Sequence, residues 1–215
     1  MVEIRIHGRG GQGGVTLAKL IAISRFLRHQ SVQAFGLYAA ERSGAPVQAF
    51  CRFDDEVITD RNLIYEPDHV VVLDPTLVGP AILAGLKPGG WILLNTDRGA
   101  GAFAEAYPHN RVATVDATGI ARRHGLGTRS VPIVNTALAG AVARILGFPL
   151  DEMLAALAHL RFGGGNVKAA SDAHAGVAMR DARETAAAAA AEARPIGFER
   201  APSFLTGAGG DLPKV

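Results

Sequence analysis

Cysteine is almost missing from this chain: Cys51 is the only one in 215 residues. That excludes an internal disulfide, a C-x-x-C pair, and the set of thiolates that holds an iron–sulfur cluster. Any redox centre this molecule serves sits in another chain. An excess of charge of one sign is missing too, and a net charge of +2 gives no case for nucleic acid. No apolar run reaches the length that crosses a bilayer, and the N-terminus enters a strand pattern without a charged-then-apolar leader, so a cytoplasmic protein is expected. Metal-ligand spacing is also lacking. His7, His29, His69, His109, His124, His159 and His174 are scattered, with no pair on one helix face, and are assigned no chemistry. Cys51 lies in an apolar run and reads as a small buried residue rather than a nucleophile.

What is present is an ordinary globular composition, 48% hydrophobic and 20% charged, in a length that suits one well-buried domain. The expected organisation is a domain over 1–194 and an extended C-terminal arm over 195–215. Strands are expected at 2–7, 32–37, 47–53, 69–74, 91–95 and 112–116. The runs His69–Asp74 and Trp91–Asn95 are almost continuously apolar, as strands covered on both faces are. Helices are expected at 15–29, 76–86, 133–147, 150–161 and 166–194. The alternation predicts an α/β sandwich with a mainly parallel sheet. Val47–Phe53 alternates differently, with Gln48 and Arg52 opposed to its apolar members, and reads as an edge or antiparallel strand. Arg122-Arg123-His124 reads as a solvated helix end. The arm carries Phe198, Phe204 and Leu205 without periodicity, which favours a segment lying on another subunit.

The run Gly8-Arg9-Gly10-Gly11-Gln12-Gly13-Gly14 stands between the first strand and the first helix. Five glycines in seven positions let the chain turn sharply and leave its N–H groups uncovered where an anion is favoured. A phosphate-cradling P-loop needs Lys and then Ser or Thr straight after the last glycine; Gly14-Val15 stand there, so that reading fails. Gly8, Gly10 and Gly13 satisfy G-x-G-x-x-G, but the second strand carries no carboxylate for ribose hydroxyls. Three readings stay open: a phosphate-bearing ligand, a partner chain approaching the amides, or glycines that only allow close helix–sheet packing.

A second constellation, Tyr38–Val47, includes Glu41-Arg42-Ser43-Gly44 in a connection between strands. In an open α/β sheet the loops leaving the carboxyl ends of the first two strands flank one crevice, so this segment and the glycine loop are expected to face the same ligand or partner. Arg9 and Arg42 would bring it positive charge suited to phosphate or carboxylate. Read plainly, the segment is a surface turn with two solvated charges.

Taken together, Gly8–Gly13, then Tyr38-x-x-Glu41-Arg42-x-Gly44-Ala45-Pro46-Val47-x-Ala49-Phe50-x-Arg52-x-Asp54, Pro67-Asp68, Leu73-Asp74, Asn95-Thr96, and Asn135 leading a helix that ends Leu146-Gly147 resemble the gamma subunit of the 2-oxoacid:ferredoxin oxidoreductases, the pyruvate synthase group. The resemblance covers about residues 2–185. It implies a Rossmann-like three-layer sandwich with a mainly parallel sheet, to which the chain's own pattern adds a C-terminal helix and extended tail. It also implies a subunit of an enzyme that decarboxylates a 2-oxoacid on thiamine diphosphate, transfers the acyl group to coenzyme A and passes electrons to ferredoxin or another acceptor. The thiamine site and the clusters would be held by the alpha, beta and ferredoxin-like delta subunits. No catalytic residue is expected in this chain. Gly8, Arg9, Gly10, Gly11, Gln12, Gly13, Glu41 and Arg42 are the positions implied for coenzyme A proximity or subunit contact. Asn135 is implied as a helix start or crevice wall. Ser43 stands where many relatives have a second glycine, and the tail after 195 has no counterpart. Alternatives are an arylglyoxylate (phenylglyoxylate-type) dehydrogenase subunit, a scaffold without ligand contact, and a free-standing NAD-dependent reductase.

Overall fold

A computed structural model describes residues 1–37, 44–128 and 130–182. Seven strands form one mixed sheet in the order β2-β3-β1-β4-β5-β6-β7. They are β1 (Val2–Arg9), β2 (Ser31–Leu37), β3 (Pro46–Asp54), β4 (His69–Val72), β5 (Trp91–Asn95), β6 (Arg111–Val115) and β7 (Ala178–Arg180). The centre, β1-β4-β5-β6, is parallel; β3 is antiparallel to both β1 and β2, and β7 is antiparallel to β6. Six helices accompany the sheet among the described residues: α1 (Gly14–Phe26), α2 (Pro80–Leu83), α3 (Ala117–Arg123), α4 (Asn135–Ile145), α5 (Leu150–His159) and α6 (Gly165–Gly176).

The two faces are covered unequally. Ile4, Ile6, Cys51, Val71 and Leu93 point to one face and pack against Leu17, Leu20 and Ile21 of α1, Leu138 and Val142 of α4, and Met153 and Leu157 of α5. Val70, Val72, Ile92, Leu94 and Val112 point to the other, where a smaller core holds Ile82 of α2 with Leu77 and Phe103 at its margin. β4 and β5 are apolar apart from His69 and Asn95 at their ends, because both faces are roofed.

Several expectations need correction. No helix spans 76–86; a 3-10 turn at Pro75–Leu77 is followed by the four-residue α2, because Gly79-Pro80 restarts the chain and Gly85 (φ +76°) ends it. No helix runs from 166 to 194 either. α6 ends at Gly176, Val177 is extended, and the chain turns back as β7 along β6; the remainder of that expectation and the arm 195–215 lie outside the described residues. α1 ends at Phe26 rather than 29, since His29 takes a left-handed φ of +63°. α3, whose Asp116 accepts from the Gly119 N–H at 2.7 Å, has no counterpart among the expected helices, although its end at Arg122-Arg123 was expected. β3 is antiparallel as expected but internal, leaving β2 as the edge.

Polar side chains in the interior are tied down. Arg52, fully buried on β3, has Nε 3.2 Å from Glu3 Oε1 and donates to the carbonyls of Asp60 (3.1 Å) and Asn62 (2.8 Å). Arg5, on the neighbouring strand, has no carboxylate partner among the described residues. It donates to the carbonyls of Tyr65 (3.1 Å), Ile82 (3.0 Å) and Ala84 (2.6 Å), and so fastens the 61–68 connection and α2 to β1. Arg25 of α1 pairs with Glu152 of α5 and lies over the Phe148 ring.

Candidate functional site

Because β1 and β2 both run antiparallel to β3, their carboxyl ends meet its beginning at one edge of the sheet: Arg9 pairs with Pro46 and Leu37 with Gln48. The glycine loop and both described ends of the 38–43 segment therefore stand together, as expected of two loops flanking one crevice. Glu41 and Arg42 themselves lie outside the described residues. The loop continues the ladder for one step, with Gly10 N–H donating to Ala45 O (2.9 Å) and Gly44 N–H to Gly10 O (3.3 Å).

Side-chain bonds then close the loop on itself. Gln12 Oε1 accepts from the Arg9 N–H (2.8 Å) while Gln12 Nε2 donates to Asp74 Oδ2 (3.1 Å), and the same oxygen accepts from Arg9 Nε (3.0 Å). Arg9 also donates to Gly44 O (3.1 Å) and Thr76 Oγ1 (2.9 Å). Asp74 is a hub, taking two further bonds from the Thr76 N–H and hydroxyl. Burial alone would raise its carboxyl, but the bonds from Thr76 and Gln12 and the charge of Arg9 outweigh it and hold the group below the usual carboxylate range.

Gly11 (φ +93°) and Gly13 (φ +83°) supply the left-handed turns that bring the chain into α1. Gly13 has a second reason to be glycine: a methyl group there would lie 3.0 Å from Asn135 Cγ and closer still to Nδ2. Asn135 is buried at the start of α4 and accepts from the Thr136 N–H at 2.8 Å, so it stands at a helix start, against Gly13. Around the loop opens a cavity of about 290 Å³ walled by Gly11, Gly13, Gly14 and Thr16, with Leu37 and Gln48 opposite. The first N–H groups of α1 face no intrahelical acceptor, and the dipole there favours negative charge.

Gly8, Arg9, Gly10, Gly11, Gln12, Gly13 and Asn135 are thus brought together. Arg9, expected to offer its charge to a ligand, instead commits its guanidinium to Asp74, Thr76 and Gly44. Asp74 and Thr76, absent from the expected set, complete the site; they stand 62–67 residues downstream of their partners, and although Leu73-Asp74 is among the residues that carry the resemblance, nothing local ties either residue to the glycine loop. His7 and Gln48 also belong here, again without a motif to reveal them. His7 is buried on β1, and its Nε2 accepts from Arg5 Nε at 3.1 Å. Burial, and then the Arg5 charge, push it down to about 4. Cys51 is buried in the main core and burial pushes its thiol up to about 12, so it supplies no thiolate.

Burial likewise pushes His69 down to about 4. Both imidazoles stay neutral in the fold at pH values where the unfolded chain, with the ordinary value of 6.5, takes up protons. Stability is therefore complete above that value and falls between it and about pH 4, by up to about 1.4 kcal/mol per pH unit for each histidine. Denaturant midpoints measured from about pH 7 to about pH 5 are expected to fall, with less than half of the fall in a His7→Asn, His69→Asn double variant. Equal falls in both proteins would refute the assignment.

Residues 3–176 match the family described as pyruvate ferredoxin/flavodoxin oxidoreductase. The pyruvate/ketoisovalerate oxidoreductases common subunit gamma of Thermococcus kodakarensis is 44% identical over 180 residues, covering 80% of this chain and 95% of that one. The pyruvate synthase subunit PorC of Methanothermobacter marburgensis is 46% identical over 156 residues, 72% of this chain and 83% of that one. Among solved structures, the pyruvate oxidoreductase subunit PORC of Thermotoga maritima superposes with a TM-score of 0.72 at 32% identity, over 84% of this chain and 98% of that one. The fold also recurs, at 16% identity and a TM-score of 0.61, as 30% of a longer chain, the 2-oxoglutarate:ferredoxin oxidoreductase of Magnetococcus marinus.

Proposed function

The chain belongs to the pyruvate ferredoxin/flavodoxin oxidoreductase family as a gamma subunit, and we propose that its complex converts pyruvate and coenzyme A to acetyl-coenzyme A and carbon dioxide, with two electrons passed to ferredoxin. Thiamine diphosphate would supply the carbanion chemistry in partner subunits, alpha and beta, and a ferredoxin-like delta subunit would carry clusters. The names of the similar proteins favour pyruvate, with 2-oxoisovalerate next, over an arylglyoxylate. Glu41 and Arg42, and an arm over 195–215 laid on a partner, remain part of the proposal.

This chain's share is to hold the pyrophosphate of coenzyme A on the amides of Gly11, Gly13 and Gly14. What carries the reading is the cavity at the start of α1, lined by glycines that have no side chains to cover their N–H groups. Cluster ligands do not fit this chain, since its single thiol is buried and protonated.

Thr16→Asp tests the reading without harming the fold, because an acidic residue in a helix's first turn is favourable there. With the assembled enzyme, the KM for coenzyme A is expected to rise about tenfold, about 1.4 kcal/mol, and inhibition by ADP to weaken in parallel. An unchanged KM and unchanged inhibition would sink it. A scaffold role is favoured by one observation, the engagement of Arg9 with Asp74 and Gly44. It predicts instead that Arg9→Ala releases this chain from the complex with coenzyme A dependence unaltered.

A further inference from the structure

The connection from α3 to α4 is a small hairpin that holds apolar side chains out into solvent. Residues 126–128 and 130–133 are its two arms, joined by a bridge between Gly127 and Pro132. The Ile133 N–H donates to Leu126 O (3.1 Å), the Thr128 N–H to Val131 O (3.0 Å) and the Val131 N–H to Thr128 Oγ1 (3.0 Å). The arms press together so closely that a methyl group at Gly127 (φ +82°) would lie 2.8 Å from the Ile133 nitrogen. The base of the hairpin is fastened as well, because His124 Nε2 lies 2.8 Å from Asp172 Oδ2 of α6. On this frame Val131 is 52% and Ile133 38% exposed, and residues two apart on an extended arm share one face.

The charge around that face is positive. Arg122 and Arg123 at the end of α3 and Lys168 of α6 are exposed, and none of them has an ion pair or side-chain hydrogen bond among the described residues. Asp172, one turn beyond Lys168, is already engaged by His124. Arg122 also lines a cavity of about 350 Å³ at the foot of the hairpin, together with Gly125, Gly127 and Thr128.

We propose that this hairpin is where a companion subunit of the oxidoreductase grips the chain: an apolar patch on the companion covers Val131 and Ile133, and carboxylates at its rim meet Arg122, Arg123 and Lys168, one of them entering the cavity to reach Arg122. The inference rests on membership of a multi-subunit enzyme and not on the coenzyme A reading. Charge selects the occupant. A second copy joined about a twofold axis would set Arg122 and Arg123 against their own counterparts, since such an interface uses the same patch on both sides. A soluble carrier that binds and leaves is a poor match for the bare Val131 and Ile133, because it is the permanent interfaces that are the more apolar.

The test is dissociation of the assembled enzyme on dilution, read as the concentration at which half of this chain has left it. Val131→Ser with Ile133→Ser is expected to raise that concentration by about tenfold or more, as truncating anchors at the centre of an interface does. Both side chains are exposed and the hairpin's bonds come from its backbone and Thr128, so the melting temperature of the variant subunit is expected to match wild type. Arg122→Gln with Arg123→Gln is expected to raise it severalfold and to flatten the weakening of the wild-type complex between about 0.05 and about 0.5 M salt. Unchanged dissociation of the serine variant would overturn the assignment. So would self-association of the isolated chain that this variant abolishes, which would mark a second copy as the occupant, or hydrogen-exchange protection of 130–133 in the isolated chain that is lost on removing 195–215, which would mark the chain's own arm. Intact assembly with slowed electron delivery would mark a soluble carrier and overturn it equally. Failure of the coenzyme A reading is separately visible in Thr16→Asp, which leaves the hairpin untouched.

Discussion

Gly140→Ala is expected to lower the melting temperature of this subunit by about 6–12 °C, the shift that about 3 kcal/mol produces in a domain of this size. The cause is one missing carbon. Gly140 sits mid-way along α4 where α6 crosses it, and a methyl group there would fall on the Ala170 carbonyl oxygen, 2.6 Å from the carbonyl carbon and 2.8 Å from Cα. Backbone cannot rotate aside as a side chain does, so the two helices must separate. Ala169, Ala170 and Ala173 bring α6 this close because they are small and fully buried, and they face Ala137, Leu138 and Ala141 of α4 in the same core. Calorimetry of wild type and variant gives the shift directly. A fall of less than about 2 °C would mean the helices can slide apart freely, which close packing argues against.

Arg52→Met should cost about 3–5 kcal/mol, the usual penalty for removing one partner of a buried pair. Methionine roughly fills the space but leaves Glu3 and the Asp60 and Asn62 carbonyls without their donor. Part of the loss is therefore desolvation of the stranded Glu3 carboxylate, which Glu3→Gln relieves. Denaturant titration of the two single variants and the double variant should show the double less destabilised than the sum by about 1 kcal/mol or more, as for groups in one network. Strict additivity would show that Glu3 and Arg52 act independently.

Much of the sheet is legible in the amino-acid pattern alone, and the failures have a common origin. His69–Val72 and Trp91–Asn95 announce themselves because burial on both faces forces apolar residues at nearly every position. The segment 76–86 misleads because its apolar residues suit a helix, while Gly79-Pro80 and Gly85 cut it into pieces too short to bury one. β7 carries no pattern of its own: Ala178-Met179-Arg180 is a strand only because β6 lies alongside, with Val112 opposite Arg180. Gln48 and Arg52 betray the odd direction of β3 but not its place between β2 and β1, which depends on pairing with β1 across 37 to 51 residues.

The site divides the same way. A glycine loop at the first βα junction is visible in seven consecutive letters. Who occupies Arg9 is not, because Asp74 and Thr76 are distant in sequence and ordinary in composition. Asn135 can be suspected of lining the crevice from its place at a helix start, yet its contact with Gly13 requires α4 to arrive beside α1.

A glycine-rich segment is normally the floppiest part of a chain, and whatever binds it must freeze it. In the ring joining Arg9, Gln12 and Asp74 that ordering happens when the subunit folds, because Asp74 fixes the curve from outside. Capture of a ligand or neighbouring subunit at this tip then demands little conformational adjustment from the protein, and the entropic loss falls on the arriving molecule.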